Sequence, residues 1–205
     1  MHDYDLRNRP YKKAVAEYKK NNICGNNDAQ IGIMLIQYEK KPEEGIEYTL
    51  QAYLGQLSII NNILNGYIRY YIAVKELARG IRAAEWMIRY LGSLKENPEK
   101  RSFLDKIICL YHLLTAVMLD ADNRAEEAEA ALHTAVRIAR TFDADPVYSM
   151  ENILFTETWN KPGSFYDSSG PTAIDGLKGT LAEAGDLVTA SFLEKFDRAL
   201  QINGY

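Results

Sequence analysis

The sequence predicts an all-α protein, and three observations lead to that fold class. Apolar residues recur with helical spacing along nearly all of the 205 residues. The six prolines stand where helices can begin or end. No segment alternates apolar and polar residues between turn formers, as a half-buried strand would. With 47% hydrophobic and 25% charged residues, the chain is an ordinary globular one that can bury a core.

The helix boundaries follow from capping residues and breakers. Pro10 suits a first turn, and Asp28 and Asp186 suit N-caps. Gly185 suits a left-handed C-cap. Asn65–Gly66 is a weaker break, through which the helical pattern could also run. The predicted helices cover residues 10–20, 28–40, 43–64, 67–78, 80–94, 102–119, 124–142, 146–158, 171–185 and 186–202.

One segment interrupts this pattern. Residues 159–170 are rich in turn formers and are predicted to form a long loop. The loop divides the chain into a helical-repeat region, residues 1–158, and a C-terminal part, residues 159–205, whose helical hairpin packs on the same domain. It is either a plain connector, with Phe165 and Tyr166 packed on the core, or the site of a function.

Charge and cysteine usage exclude several functions. A net charge of −4 does not hold DNA or RNA by its overall field, so no direct nucleic-acid binding is predicted. Cys24 and Cys109 are isolated thiols, which indicates a reducing compartment. The start of the chain does not read as a signal peptide, and no apolar stretch reaches the length of a membrane span. We therefore predict a cytoplasmic protein that does not enter membranes.

The search for chemistry gives one weak cluster. Cys109 and His112 share a helical side, and His133 lies on the next predicted helix. No second ligand pair with zinc-like spacing accompanies them, so neither a metal nor a cofactor is predicted. Phosphate-binding loops, nucleophile elbows and dinucleotide fingerprints do not occur in the sequence. The chain is therefore predicted not to be an enzyme.

A spacing of small, large and small residues recurs on the predicted helices. Positions four and then three residues apart lie on one helical face, and small residues there permit close packing of neighbouring helices. The sets are Gly45, Thr49 and Ala52; Ala128, Leu132 and Ala135; and, more weakly, Ala83, Met87 and Tyr90.

On these residues the chain resembles the tetratricopeptide repeat family. The best unit spans Leu110 to Phe142, and the second spans Asp28 to Leu57 with Gly32 in the small slot of its first helix. The resemblance implies antiparallel helix pairs stacked as a short right-handed superhelix, in which the first helices line a concave groove. That groove would be apolar and would take a peptide or a partner helix. Its predicted residues are Ile68, Arg69, Tyr71, Ile72, Leu113 and Val117.

Aromatic residues offer a second reading of the same region. The chain has 14 tyrosines, and Tyr67, Tyr70 and Tyr71 lie close to Trp86 and Tyr90 in the sequence. Such residues either form a binding face or fill wide gaps between helices, and the sequence leaves both open.

The repeats look similar to the C-terminal sensor regions of bacterial transcription regulators. The function expected from this resemblance is a non-catalytic module that binds a peptide or protein. Two alternatives stay open. One is a structural scaffold that associates with itself, for example as a homodimer, and the other is an enzyme with a site in the loop at residues 160–170.

Overall fold

The computed structural model describes residues 2–22, 25, 27–95, 97–99, 101–145, 147–149, 160–162 and 172–205. This part contains eight α-helices, so the predicted all-α class is confirmed apart from one small ribbon. They are α1 His2–Lys20, α2 Asp28–Met34, α3 Pro42–Ala73, α4 Leu77–Ser93, α5 Leu104–Ala121, α6 Ala125–Ala144, α7 Ala173–Ala184 and α8 Ala190–Ile202. Within the described ranges, no helix is both long and apolar enough to cross a membrane.

The ribbon corrects one predicted helix. Residues 146–158 were expected to be helical, but β1 Val147–Ser149 pairs antiparallel with β2 Asn160–Pro162. The residue before a proline avoids the helical conformation, and Asp145, which precedes Pro146, is extended with φ −148° and ψ 101°. The chain therefore leaves α6 extended. The rest of that predicted helix, Cys24 and the loop from residue 163 onward lie outside the described residues.

The chain divides into two compact units, residues 1–63 and 64–205, and the division expected at residue 158 stays a prediction. In the first unit, Val15 of α1 packs against Ile31 and Leu35 of α2 and the π-helical turn that extends it. Helix α1 begins eight residues before Pro10, so this proline lies inside the helix and not in its first turn, as was predicted. The N-cap of α2 is Asn27 rather than Asp28.

The predicted small-residue contact between α2 and α3 is present. A Cβ atom added to Gly32 would lie 2.8 Å from the carbonyl oxygen of Gly45 and 2.5 Å from Thr49 Oγ1. A Cβ atom added to Gly45 would lie 2.8 Å from the carbonyl oxygen of Gly32. The two helices therefore touch backbone to backbone at a point where only glycine fits.

Helix α3 is longer than predicted. It runs unbroken through Asn65–Gly66 and ends at Ala73, so the predicted boundary at residues 78–80 is wrong. An exposed glycine costs a helix about 1 kcal/mol. Burial of Leu57 before it and of Ile68 after it outweighs that cost.

In the second unit, the turns after α3 and α5 share one backbone geometry. Each has a residue of positive φ two positions after the helix, Lys75 at 59° and Asn123 at 62°. That residue donates its N–H to the carbonyl three residues back at 3.1 Å, and the next N–H bonds the carbonyl five residues back at 2.9 Å. This pair of bonds is a Schellman ending. The following helices begin at Leu77 and Ala125, 48 residues apart.

Counted from these turns, α4 and α6 bury the same four positions. They are Gly80, Ala84, Met87 and Leu91 on α4, and Ala128, Leu132, Ala135 and Ala139 on α6. The best predicted unit is thus buried where expected. The weaker set at Ala83, Met87 and Tyr90 was partly wrong in register, because only Met87 belongs to the buried face.

The C-terminal hairpin packs on α5 and α6 in this unit. Thr172 caps α7 in a capping box with Asp175, and the Asp143 carboxylate on α6 also accepts the N–H of Ala173 at 2.6 Å. Gly185 has a positive φ, 59°, but its ψ of −131° is not that of the predicted left-handed C-cap. Thr189 caps α8 in place of Asp186, because its hydroxyl accepts the N–H of Phe192.

Candidate functional site

A cleft of about 280 Å³ lies in the second unit, between α3, α5 and α7. We call it the α3–α5–α7 cleft. Its lining residues are Asn65, Ile68, Arg69 and Ile72 of α3, Leu110 and Leu114 of α5, and Thr180, Glu183 and Ala184 of α7. The lining is about equally polar and apolar, and four of its residues, Asn65, Arg69, Thr180 and Glu183, have polar side chains. This surface can therefore hold an apolar group and orient it by a few polar contacts.

The α3 wall contains three of the residues predicted for the groove. Ile68, Arg69 and Ile72 all line the cleft. Positions four residues apart share a helical face, which brings Ile68 and Ile72 to the same side. Ile68 is fully buried and forms part of the floor, whereas Arg69 is exposed at the edge. Tyr71 lies elsewhere, on a neighbouring face of α3.

The two predicted residues of α5 lie in the core rather than in the α5 wall of the cleft. Leu113 and Val117 are 0% and 1% exposed and belong to the core formed with α6 and α7, so neither lines the cleft. The half-buried Leu110 and Leu114 line it instead. Because α4, α6 and α7 all pack on α5, the helix is apolar nearly all round. The sequence pattern of α5 therefore does not show which of its apolar residues line the cleft.

The α7 wall was not predicted. Leu177 and Leu181 of α7 are buried in the core, which turns Thr180, Glu183 and Ala184 toward the cleft. Glu183 Oε2 is 2.5 Å from Arg69 Nη2. Both side chains are more than half exposed, so this ion pair between α3 and α7 contributes at most about 1 kcal/mol. A charged ligand group can therefore replace either partner at small cost.

The aromatic residues near the cleft are only partly core residues. Tyr67, Tyr70 and Trp86 are 54%, 58% and 48% exposed, which excludes the gap-filling role for these three. Trp86 stacks on Tyr90 with ring centroids 5.2 Å apart. The second unit therefore presents an aromatic surface on α3 and α4, separate from the residues of the α3–α5–α7 cleft.

Of the three residues considered as metal ligands, Cys109 and His133 make hydrogen bonds to different parts of the structure. Cys109 is buried, and its Sγ donates to the carbonyl oxygen of Ala135 at 3.1 Å; burial raises the pKa of this thiol. His133 Nδ1 lies 3.2 Å from the Asn203 side-chain amide. No group of three or more His, Cys, Asp or Glu side chains in the described ranges could hold a metal ion.

His112 makes stability depend on pH. Burial, reinforced by the nearby charge of Arg137, lowers the pKa of His112 to about 4. Between pH 6.5 and pH 4 the unfolded imidazole binds a proton and the folded one does not, so stability falls as the pH is lowered. We expect a loss of roughly 2 to 3 kcal/mol between pH 7.5 and pH 4.5 from this group.

The measurement is the free energy of unfolding in urea across this pH range, for wild type and His112→Gln. The carboxylates titrate in both proteins, so the difference between the two curves isolates His112. Two curves that stay parallel from pH 7.5 to pH 4.5 would show that the imidazole is not desolvated.

No family model, curated protein or solved structure matches this chain.

Proposed function

We propose that the chain is a non-catalytic binding module of tetratricopeptide-like helix pairs whose α3–α5–α7 cleft receives apolar side chains of a peptide. One observation carries this proposal: the cleft is lined by alternate helices. The part of α3 in the second unit, together with α5 and α7, supplies the first helices of the pairs α3/α4, α5/α6 and α7/α8, whereas the beginning of α3, in the first unit, is the second helix of the pair α2/α3. Stacked helix pairs use such a surface for binding. The shared turn geometry of the first two pairs supports the assignment of the pairs.

The cleft indicates what kind of ligand fits. About 280 Å³ is at the lower end of small-ligand pockets, so it accommodates one or two side chains rather than a whole helix. Ile72, Leu110 and Leu114 favour an aliphatic or aromatic anchor. At the edge, Arg69 and Glu183 offer one charge of each sign. The ligand is thus a short segment with an apolar anchor beside a charged residue.

The resemblance to sensor regions of bacterial transcription regulators supplies a setting for this activity. In that setting, occupancy of the cleft by a peptide is the signal that the regulator reads. The support is the pairing of the helices and the net charge of −4, which disfavours direct contact with nucleic acid.

The test is fluorescence polarisation with labelled 12-residue peptides that carry two leucine or phenylalanine anchors four residues apart, flanked by arginine or aspartate. Wild type is compared with Leu114→Arg, which places a charge in the cleft. Leu193→Arg is the matched control, because Leu193 is 44% exposed on α8 and does not line the cleft. We expect at least about tenfold weaker binding for Leu114→Arg, since a buried charge costs more than 1.4 kcal/mol, and no change for Leu193→Arg.

A second variant keeps the proposal testable if Leu114→Arg does not fold. Arg69→Glu alters an exposed side chain and leaves two carboxylates at the cleft edge. It should weaken binding of peptides with aspartate beside the anchor and strengthen binding of those with arginine. Equal affinities of all three variants and wild type, or binding of no peptide, would contradict the proposal. Light scattering of the same samples distinguishes a self-associating scaffold.

A further inference from the structure

A second cleft in the same unit has a different chemistry. It has a volume of about 350 Å³ and is lined by Leu64, Tyr67 and Tyr71 of α3 and by Arg79, Arg82 and Ala83 of α4. We call it the aromatic–arginine cleft. It shares no residue with the α3–α5–α7 cleft. Its walls combine two aromatic rings with two guanidinium groups.

The aromatic wall is held in place by the fold. The rings of Tyr67 and Tyr71 lie 6.3 Å apart between centroids, with 22° between their planes. Tyr70 contacts Tyr71 edge-on at 5.6 Å. A Cβ atom on Gly80 would lie 3.5 Å from the Cβ of Tyr71, so the glycine lets α4 pack closely against the base of this side chain. Tyr71 is thus fixed from two sides, while Tyr67 is exposed and free to take a stacking partner.

The basic wall carries uncompensated charge. Arg79 and Arg82 are three residues apart and share a face of α4. Arg79 Nη1 lies 3.1 Å from Glu76 Oε2. Among the residues that the structure describes, no acidic side chain lies within ion-pair distance of Arg82. A guanidinium group that lacks a carboxylate is suited to bind a phosphate by two parallel hydrogen bonds.

We infer that the aromatic–arginine cleft binds a planar aromatic ring that carries a phosphate. The ring stacks on Tyr67 and contacts Leu64, and the phosphate binds Arg82 with help from Arg79. The volume suits one ring system with one phosphate. Nucleoside monophosphates and phosphotyrosine share this chemistry. The net charge of the chain is −4, so the attraction for phosphate is local to this cleft.

The experiment is a titration of the full chain with adenosine monophosphate and with O-phosphotyrosine, followed by calorimetry or by backbone amide shifts. Adenosine, tyrosine and inorganic phosphate are the partial ligands. We expect at least one complete ligand to bind with a dissociation constant at least about tenfold lower than any partial ligand, because ring and phosphate contribute together. Preference for one complete ligand identifies the source of the ring and phosphate.

Variants assign the binding to this cleft. Arg82→Gln should weaken binding about tenfold, the loss expected for a charge-assisted hydrogen bond, and Tyr67→Ala should weaken it severalfold. Arg89→Gln is the matched control, since Arg89 is an exposed arginine of α4 that does not line the cleft. Equal effects of Arg82→Gln and Arg89→Gln would overturn the inference. So would saturable binding by neither complete ligand, or inorganic phosphate binding as tightly as both.

Discussion

Replacing Gly32 or Gly45 with alanine is expected to lower the free energy of unfolding of the first unit by about 2 to 3 kcal/mol. Each new methyl group would lie 2.8 Å from a backbone carbonyl oxygen of the facing helix. No side-chain rotation relieves a clash with backbone, so α2 and α3 must separate and lose packing. This loss exceeds the gain of about 1 kcal/mol that alanine brings to a helix interior.

Two other glycines of α3 provide matched controls. Nothing lies within 4 Å of a Cβ atom added to Gly55 or Gly66. Gly55→Ala and Gly66→Ala should therefore raise stability by about 0.5 to 1 kcal/mol, through helix propensity alone. Urea unfolding followed by circular dichroism measures all four variants, and hydrogen exchange locates the change along the chain. Similar effects at all four glycines would show that α2 and α3 do not meet at Gly32 and Gly45.

Leu113→Ala is expected to cost about 2 to 5 kcal/mol of stability, the range for a leucine removed from a packed core. Leu113 is fully buried in the cluster that joins α5, α6 and α7. Leu114→Ala, one residue further along, should cost only about 1 kcal/mol because Leu114 is half-buried at the cleft.

The two leucines should also differ in binding. Peptide affinity should fall severalfold for Leu114→Ala, whereas folded Leu113→Ala should keep near wild-type affinity. Thermal unfolding combined with the polarisation assay separates the two effects. If Leu113→Ala is stable and lacks binding, the sequence-based assignment of Leu113 to the groove is right and the placement of α5 is wrong.

The parts of the fold that could be predicted are those with strong local signals. The small residues Gly32, Gly45, Ala128 and Ala135 mark close helix contacts, because a larger side chain would hold the backbones apart. The positive φ of Gly185 follows from its lack of a Cβ atom. These signals depend on a few neighbouring atoms, and the sequence contains them directly.

The wrong predictions concern helix ends that are decided by packing and not by a local signal. Asn65–Gly66 reads as a break, but tertiary burial of Ile68 keeps the helix intact. Asp186 is a good capping residue, yet Thr189 is used because a 3₁₀ turn, Gly185–Leu187, intervenes before α8. Local propensity does not separate a break from a continuous helix at Asn65–Gly66, nor Asp186 from Thr189 as the N-cap of α8. Packing decides both.

The residues that line the candidate site divide in the same way. Ile68 and Ile72 are four residues apart, so helical spacing alone places them on one face of α3. Helix α5 is enclosed by three neighbours, so its sequence does not tell Leu113 from Leu114. The α7 wall depends on contacts more than 60 residues distant in sequence, and no local pattern encodes them.

The most direct measurement of the central claim is a methyl-labelled NMR titration with the tightest peptide from the polarisation assay. Ile72, Leu110 and Leu114 line the α3–α5–α7 cleft, whereas Leu193 does not. Binding in the cleft predicts saturable shifts at the methyl groups of Ile72, Leu110 and Leu114, with those of Leu193 unchanged. Saturable shifts confined to other methyl groups would contradict the account, because the peptide would then bind a different surface.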